Sequence, residues 1–86
     1  MSPATFARRL EDGEANHLIY RRDEYDGLVS IWMYEGSFIL TWEECPIGEQ
    51  YDESTYSRDE RHVFLNMEEV LAFLTRNGLK AESFAP

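Results

Sequence analysis

Cys45, His17 and His62 carry the most versatile chemistry in this 86-residue chain, a thiol and two imidazoles among seventeen carboxylates. They are ingredients for acid–base or nucleophilic work, which needs a nucleophile and a base within hydrogen-bond reach. Nothing in their spacing activates them. The chain has no glycine-rich phosphate loop, nucleophile elbow or His-Glu-x-x-His pair. Nor does it have the closely spaced cysteine or histidine pairs of a zinc site. Asp23-Glu24-Tyr25-Asp26-Gly27 offers oxygen ligands and a glycine, but not the twelve-residue calcium-loop pattern with its terminal glutamate. The sequence therefore predicts a protein that is not an enzyme and has neither cofactor nor metal. Cys45, ahead of Pro46, reads as a small packed side chain at a strand end.

A different chemistry dominates from Trp42 to Glu60. Glu43, Glu44, Glu49, Asp52, Glu53, Asp59 and Glu60 are interleaved with Tyr51 and Tyr56, and Arg58 is the only cation. The stretch loses both helical and strand periodicity, so residues 44–60 read as a long acidic loop, and loops of that length in small domains are commonly functional. Tyrosines provide rigid contact area for binding, and carboxylates pair well with guanidinium forks. Asp23, Glu24 and Asp26 form a second acidic patch.

The whole chain carries −9 at pH 7. That charge repels phosphate backbones and anionic lipid surfaces, which argues against direct nucleic-acid or membrane binding and for a basic protein surface as partner. A lone cysteine excludes an intramolecular disulfide and suits a reducing compartment. The start of the chain shows no apolar leader, and no segment approaches the ~20 apolar residues of a membrane span. A cytoplasmic location is expected.

At 43% hydrophobic and 14% aromatic, the chain is apolar enough to fold as a single domain over residues 1–86. Ser2-Pro3 reads as the start of a short N-terminal helix with Phe6 and Leu10 on one face. The order Arg8-Arg9-Glu11-Asp12 argues against that helix on dipole grounds. His17–Arg22 reads as a strand, followed by a polar turn over Asp23–Gly27. Leu28–Tyr34 and Ser37–Glu43 flank Glu35-Gly36 and predict a β-hairpin. With a two-residue turn, Val29, Ile31 and Met33 face Trp42, Leu40 and Phe38 on an apolar side. Leu28, Trp32, Tyr34 and Ile39 fall on the reverse, where Trp32 and Tyr34 are candidate contacts for a partner.

Arg61–Leu65 predicts a last strand and Asn66 the cap of the principal helix, with Glu69 completing a capping box. Met67, Val70, Leu71 and Leu74 form its apolar stripe, with Phe73 at the margin. Gly78 ends the helix and Leu79 packs back on Leu74. Residues 81–86 are expected to fray. The expected fold is α+β: a small antiparallel sheet of three to four strands with one principal helix on one face.

The run Phe64-Leu65-Asn66-Met67-Glu68-Glu69-Val70-Leu71-Ala72-Phe73-Leu74 joins sheet to capped helix. From Leu28 to Leu79 the chain resembles, in architecture and charge, small acidic anti-CRISPR inhibitors of phage origin. The resemblance implies a non-enzymatic inhibitor, a mimic of nucleic acid, that blocks a guide-RNA effector complex. It rests on no diagnostic motif and transfers no binding residue. Immunity proteins that neutralise bacterial nuclease toxins fit the same physics. A small homo-oligomeric assembly protein that buries Trp32, Tyr34 and Ile39 against itself is the reading from another class; the expected state is a monomer or a homodimer.

Overall fold

Glu35 and Gly36 both take positive φ, +51° and +82°, in the computed structural model, which describes Met1–Pro86. Positive φ at both central residues is the twist-matched arrangement for a two-residue hairpin. Tyr34 therefore faces Ser37, and Met33, Ile31 and Val29 face Phe38, Leu40 and Trp42, as the alternation predicts.

This hairpin is longer than the apolar pattern suggests. Strand β2 spans Tyr25–Tyr34 and β3 spans Ser37–Pro46. The turn before β2 uses only Asp23 and Glu24, with Asp23 at φ +55°, so Arg22 already pairs with Tyr25. Tyr25, Asp26 and Gly27 are strand residues rather than turn. Gly27 is not there for a left-handed bend: the Tyr20 ring of β1 (Asn16–Arg22) lies over it, only 2.0 Å from where a Cβ would sit. An aromatic over a strand glycine fills the space the missing side chain leaves.

Strand β4 spans Arg58–Phe64 and pairs with β3 from Phe38↔Phe64 to Glu44↔Arg58. The sheet is a four-stranded antiparallel meander in the order β1-β2-β3-β4. Beginning β4 at Arg58 and ending β3 at Pro46 shortens the connection to residues 47–57. Part of the stretch read as a 44–60 loop is thus paired sheet. The charged start of β4 suits an edge strand, where charge discourages pairing with other chains.

Helix α1 (Pro3–Glu11) is capped by Ser2, whose hydroxyl accepts from the Thr5 amide. Arg8 and Arg9 fall in its last turn, where cations favour the dipole, while Glu11 and the C-cap Asp12 oppose it; the Ser2 cap and the burial of Phe6 and Leu10 outweigh that charge order. Arg9 also donates to Asn16 Oδ1 (2.8 Å) and the Ala15 carbonyl (2.9 Å), while Asn16 Nδ2 donates to the Phe6 carbonyl (3.0 Å). These bonds satisfy a fully buried asparagine.

Helix α2 (Met67–Arg76) is capped by Asn66 on the Glu69 amide, and Glu69 reaches back to the Leu65 amide. Phe73 rather than Leu71 enters the core, against Trp42 and Phe64, and Leu71 is exposed. Gly78 takes φ +71° and the Leu79 amide closes on the Leu74 carbonyl.

Both helices cover the same sheet face, together with the C-terminal segment. Residues 81–86 are packed, not frayed. Ala81–Ser83 forms a 3-10 turn, Ala85 bridges His17, and Phe84 is buried edge-on against Phe6. The Met1 ammonium donates to the carbonyls of Glu82 (3.0 Å) and Phe84 (3.4 Å). No helix is long and apolar enough to cross a membrane.

Candidate protein-binding site

Strand alternation divides the acidic residues between two faces at one end of the sheet. On the open face, which neither helix covers, Asp26, Glu43 and Asp59 project from β2, β3 and β4. On the helix side, Glu44 and Glu60 project from the same end. Asp23 and Glu24 form the β1–β2 turn there, and the 47–57 connection adds Glu49, Asp52 and Glu53. Hydrogen bonds hold that connection to the sheet end. The Ile47 amide donates to the Glu24 carbonyl (3.0 Å), and Gln50 Nε2 donates to Asp26 Oδ2 (3.0 Å). The Ser57 amide donates to the Glu44 carbonyl (2.8 Å).

The two acidic segments, far apart in sequence, thus merge into one region of ten carboxylates. Its cations are Arg21, Arg22, Arg58 and Arg61. Arg21 is engaged by Asp26 (2.7 Å), and Arg58 sits 3.9 Å over the Trp42 ring and 3.4 Å from Glu60. The region keeps a strong negative excess.

The predicted contact residues differ in availability. Glu49, Asp52, Glu53, Asp23, Glu24 and Asp59 are exposed, and Tyr51 is fully so. Asp52 also shapes its own loop, accepting from the Ser54 amide (3.1 Å) as cap of the 3-10 turn Glu53–Thr55. Tyr56 is not an outward anchor: half-buried, it donates to the Gln50 carbonyl (2.6 Å) and turns toward the open sheet face.

Glu44 is half-buried on the helix side, where the Tyr20 hydroxyl donates to it and Trp42 Nε1 donates to the Tyr20 oxygen (3.0 Å). Burial first, then the Glu44 hydrogen bond, raises the Tyr20 pKa. Glu60 is shared between Arg58 and His62, whose Nε2 lies 2.9 Å away. Glu44 and Glu60 are thus partly engaged within the fold.

Trp32 and Tyr34 do not join the acidic region. They share the open face, but toward the Glu35-Gly36 end, about 20 Å (Trp32) and about 26 Å (Tyr34) along β2 from Asp26 at the usual strand rise. Trp32 is half-buried over Ile39, and Tyr34 and Val63 are exposed beside them. The sequence reading also missed Ile19, Arg21 and Gln50 on the acidic side of this face. Alternation in β1 was the available signal for Ile19 and Arg21; for Gln50 there was none.

Cys45 and His62 sit on opposite faces of the sheet, so they form no dyad. His17 Nδ1 lies 3.0 Å from Ser30 Oγ, with no carboxylate on its other ring nitrogen. No group of three or more His, Cys, Asp or Glu side chains converges in metal-binding geometry.

These features define a two-layer α+β protein with one bare sheet face and one acidic end. Comparison with protein-family models, curated proteins and solved structures returns no match.

Proposed function

We propose that this protein is a non-enzymatic acidic binding protein that occupies a basic, nucleic-acid-binding surface of another protein. The observation that carries this reading is the merging of Asp23–Asp26 with Glu43–Glu60 into one negative end. Carboxylates placed there stand in for phosphates, steer the encounter with a basic cleft and disfavour acidic partners. In its most specific form the reading is a phage anti-CRISPR directed at a guide-RNA effector complex. An immunity protein that blocks a nuclease toxin uses the same physics on a different partner.

The test is competition between this protein and fluorescent DNA for purified guide-RNA effectors and, in parallel, secreted nucleases. Displacement of DNA should weaken steeply as salt rises, and Asp52→Lys with Glu53→Lys should reduce it by at least about tenfold at low salt. Displacement that ignores both salt and charge reversal overturns the electrostatic reading.

The exposed Tyr34 and Val63 and the half-buried Trp32, set around the buried Ile39, favour a second reading, self-association through the open face. A single monomer mass in light scattering across a hundredfold concentration range rejects it.

A further inference from the structure

The 47–57 connection folds against the acidic end of the open sheet face and leaves a cavity of about 350 Å³ between them. Ile19, Leu28 and Cys45 provide its apolar surface, Tyr56 an aromatic wall and Glu43 a carboxylate. Cys45 is only 5% exposed and makes no hydrogen bond. The two remaining charged groups of the lining, Arg21 and Asp26, satisfy each other at 2.7 and 3.3 Å, and Gln50 completes Asp26. Glu43 is different. It is half-buried, has no hydrogen-bond or ion-pair partner, and faces the equally unpaired Asp59 across the β3–β4 ladder. Like charges in directly opposed positions destabilise a sheet, and neither carboxylate is ion-paired, even with Arg61 two residues along the same face of β4.

We infer that this cavity receives an arginine side chain of the basic partner. The inference rests on the proposed function and names what the acidic end grips. Each wall suits one part of that side chain. The aliphatic stem lies on Ile19, Leu28 and Cys45. The guanidinium plane meets the Tyr56 ring and its fork pairs with Glu43, relieving the repulsion from Asp59. Lysine, a compact and strongly hydrated ammonium, uses neither the ring nor the fork as well. The local field agrees. Burial and then the charges of Asp26, Glu49 and Glu43 raise the Cys45 pKa. The Tyr56 pKa is raised by burial and by Cys45, Glu43, Glu53 and Asp59.

The experiment uses the full chain, labelled with ¹⁵N, and three capped tripeptides, Gly-X-Gly, in which X is arginine, lysine or citrulline. The arginine peptide should shift the amide signals of Leu28, Glu43, Cys45 and Tyr56 and saturate. Citrulline, similar in shape but uncharged, and Glu43→Gln should each weaken binding by about tenfold. Glu11→Gln, exposed at the end of α1 and outside the acidic end, should leave it unchanged. The spectrum of free Glu43→Gln verifies its fold. Equal binding of the lysine or citrulline peptide overturns the assignment. So do shifts spread over Asp23, Glu24, Asp52 and Glu53 without saturation at the cavity. Those outcomes leave the proposed function standing, since its failure is read from the salt dependence of DNA displacement.

Discussion

Glu43 and Asp59 stand directly opposite each other on the bare side of the sheet, and neither has a cation within ion-pairing distance. Paired strands fix their backbones opposite each other, so only side-chain rotation can lessen the repulsion.

Removing one charge should therefore stabilise the fold. Glu43→Gln is expected to raise unfolding free energy by about 0.2–1 kcal/mol. Urea denaturation at low salt checks this, and the gain should shrink as salt screens the repulsion.

Tyr20 links Trp42 to Glu44, and Tyr20→Phe deletes both bonds at once. A loss of about 1–3 kcal/mol is expected, because Trp42 Nε1 and Glu44 lose a shared partner. The raised pKa fixes the pH dependence. Tyr20 contributes its stability fully below its ordinary value of 10.0, and that contribution disappears as pH rises through the higher folded value. Alkaline unfolding followed by circular dichroism should be less steep above pH 10 in Tyr20→Phe than in the parent.

Gly27→Ala places a methyl group 2.0 Å from the Tyr20 ring and must displace it. The expected cost is about 1–3 kcal/mol. In a double-mutant cycle the loss should be less than additive with Tyr20→Phe, since both changes act on the same network.

Phe84 is a core residue, 2% exposed and 5.2 Å from the Phe6 ring centroid. Phe84→Ala should cost about 3–5 kcal/mol, enough to remove much of a small domain's stability. Thermal denaturation reads the effect directly.

Cys45 should be slow to react. Burial and its acidic surroundings keep the thiol protonated, so a disulfide reagent at neutral pH should modify native protein far more slowly than protein unfolded in urea. Comparable rates in the two states contradict the burial described above.

The sequence revealed most where local chemistry and periodicity agree. Glu35-Gly36 between two β-rich runs predicted both the hairpin and its register, and Asn66 with Glu69 predicted the start of α2. It revealed least where tertiary contacts overrule composition. Arg58-Asp59-Glu60 reads as loop but is an edge strand, because β3 supplies the partners and an edge tolerates charge. Phe84 is one apolar residue in a short tail, and its place is set by contacts remote in sequence, among them Phe6 of α1 and the Ala85–His17 bridge. Asp23–Asp26 and the 43–60 stretch read as two patches because the extended β2–β3 pairing that joins them has no local signature. The same pairing carries Trp32 and Tyr34 to the opposite end. Tyr56 looked like a free ring until its hydroxyl found the Gln50 carbonyl.

The ammonium of Met1 resting on the Glu82 and Phe84 carbonyls means that the polypeptide comes back to where it set out. A short glycine-serine bridge can therefore close the chain, and new ends cut near Tyr51 would interrupt no strand or helix. Such a circular permutant should retain the sheet while giving the carboxylate-rich arm two loose halves. It would separate the contribution of that arm's covalent closure from the contribution of its charge.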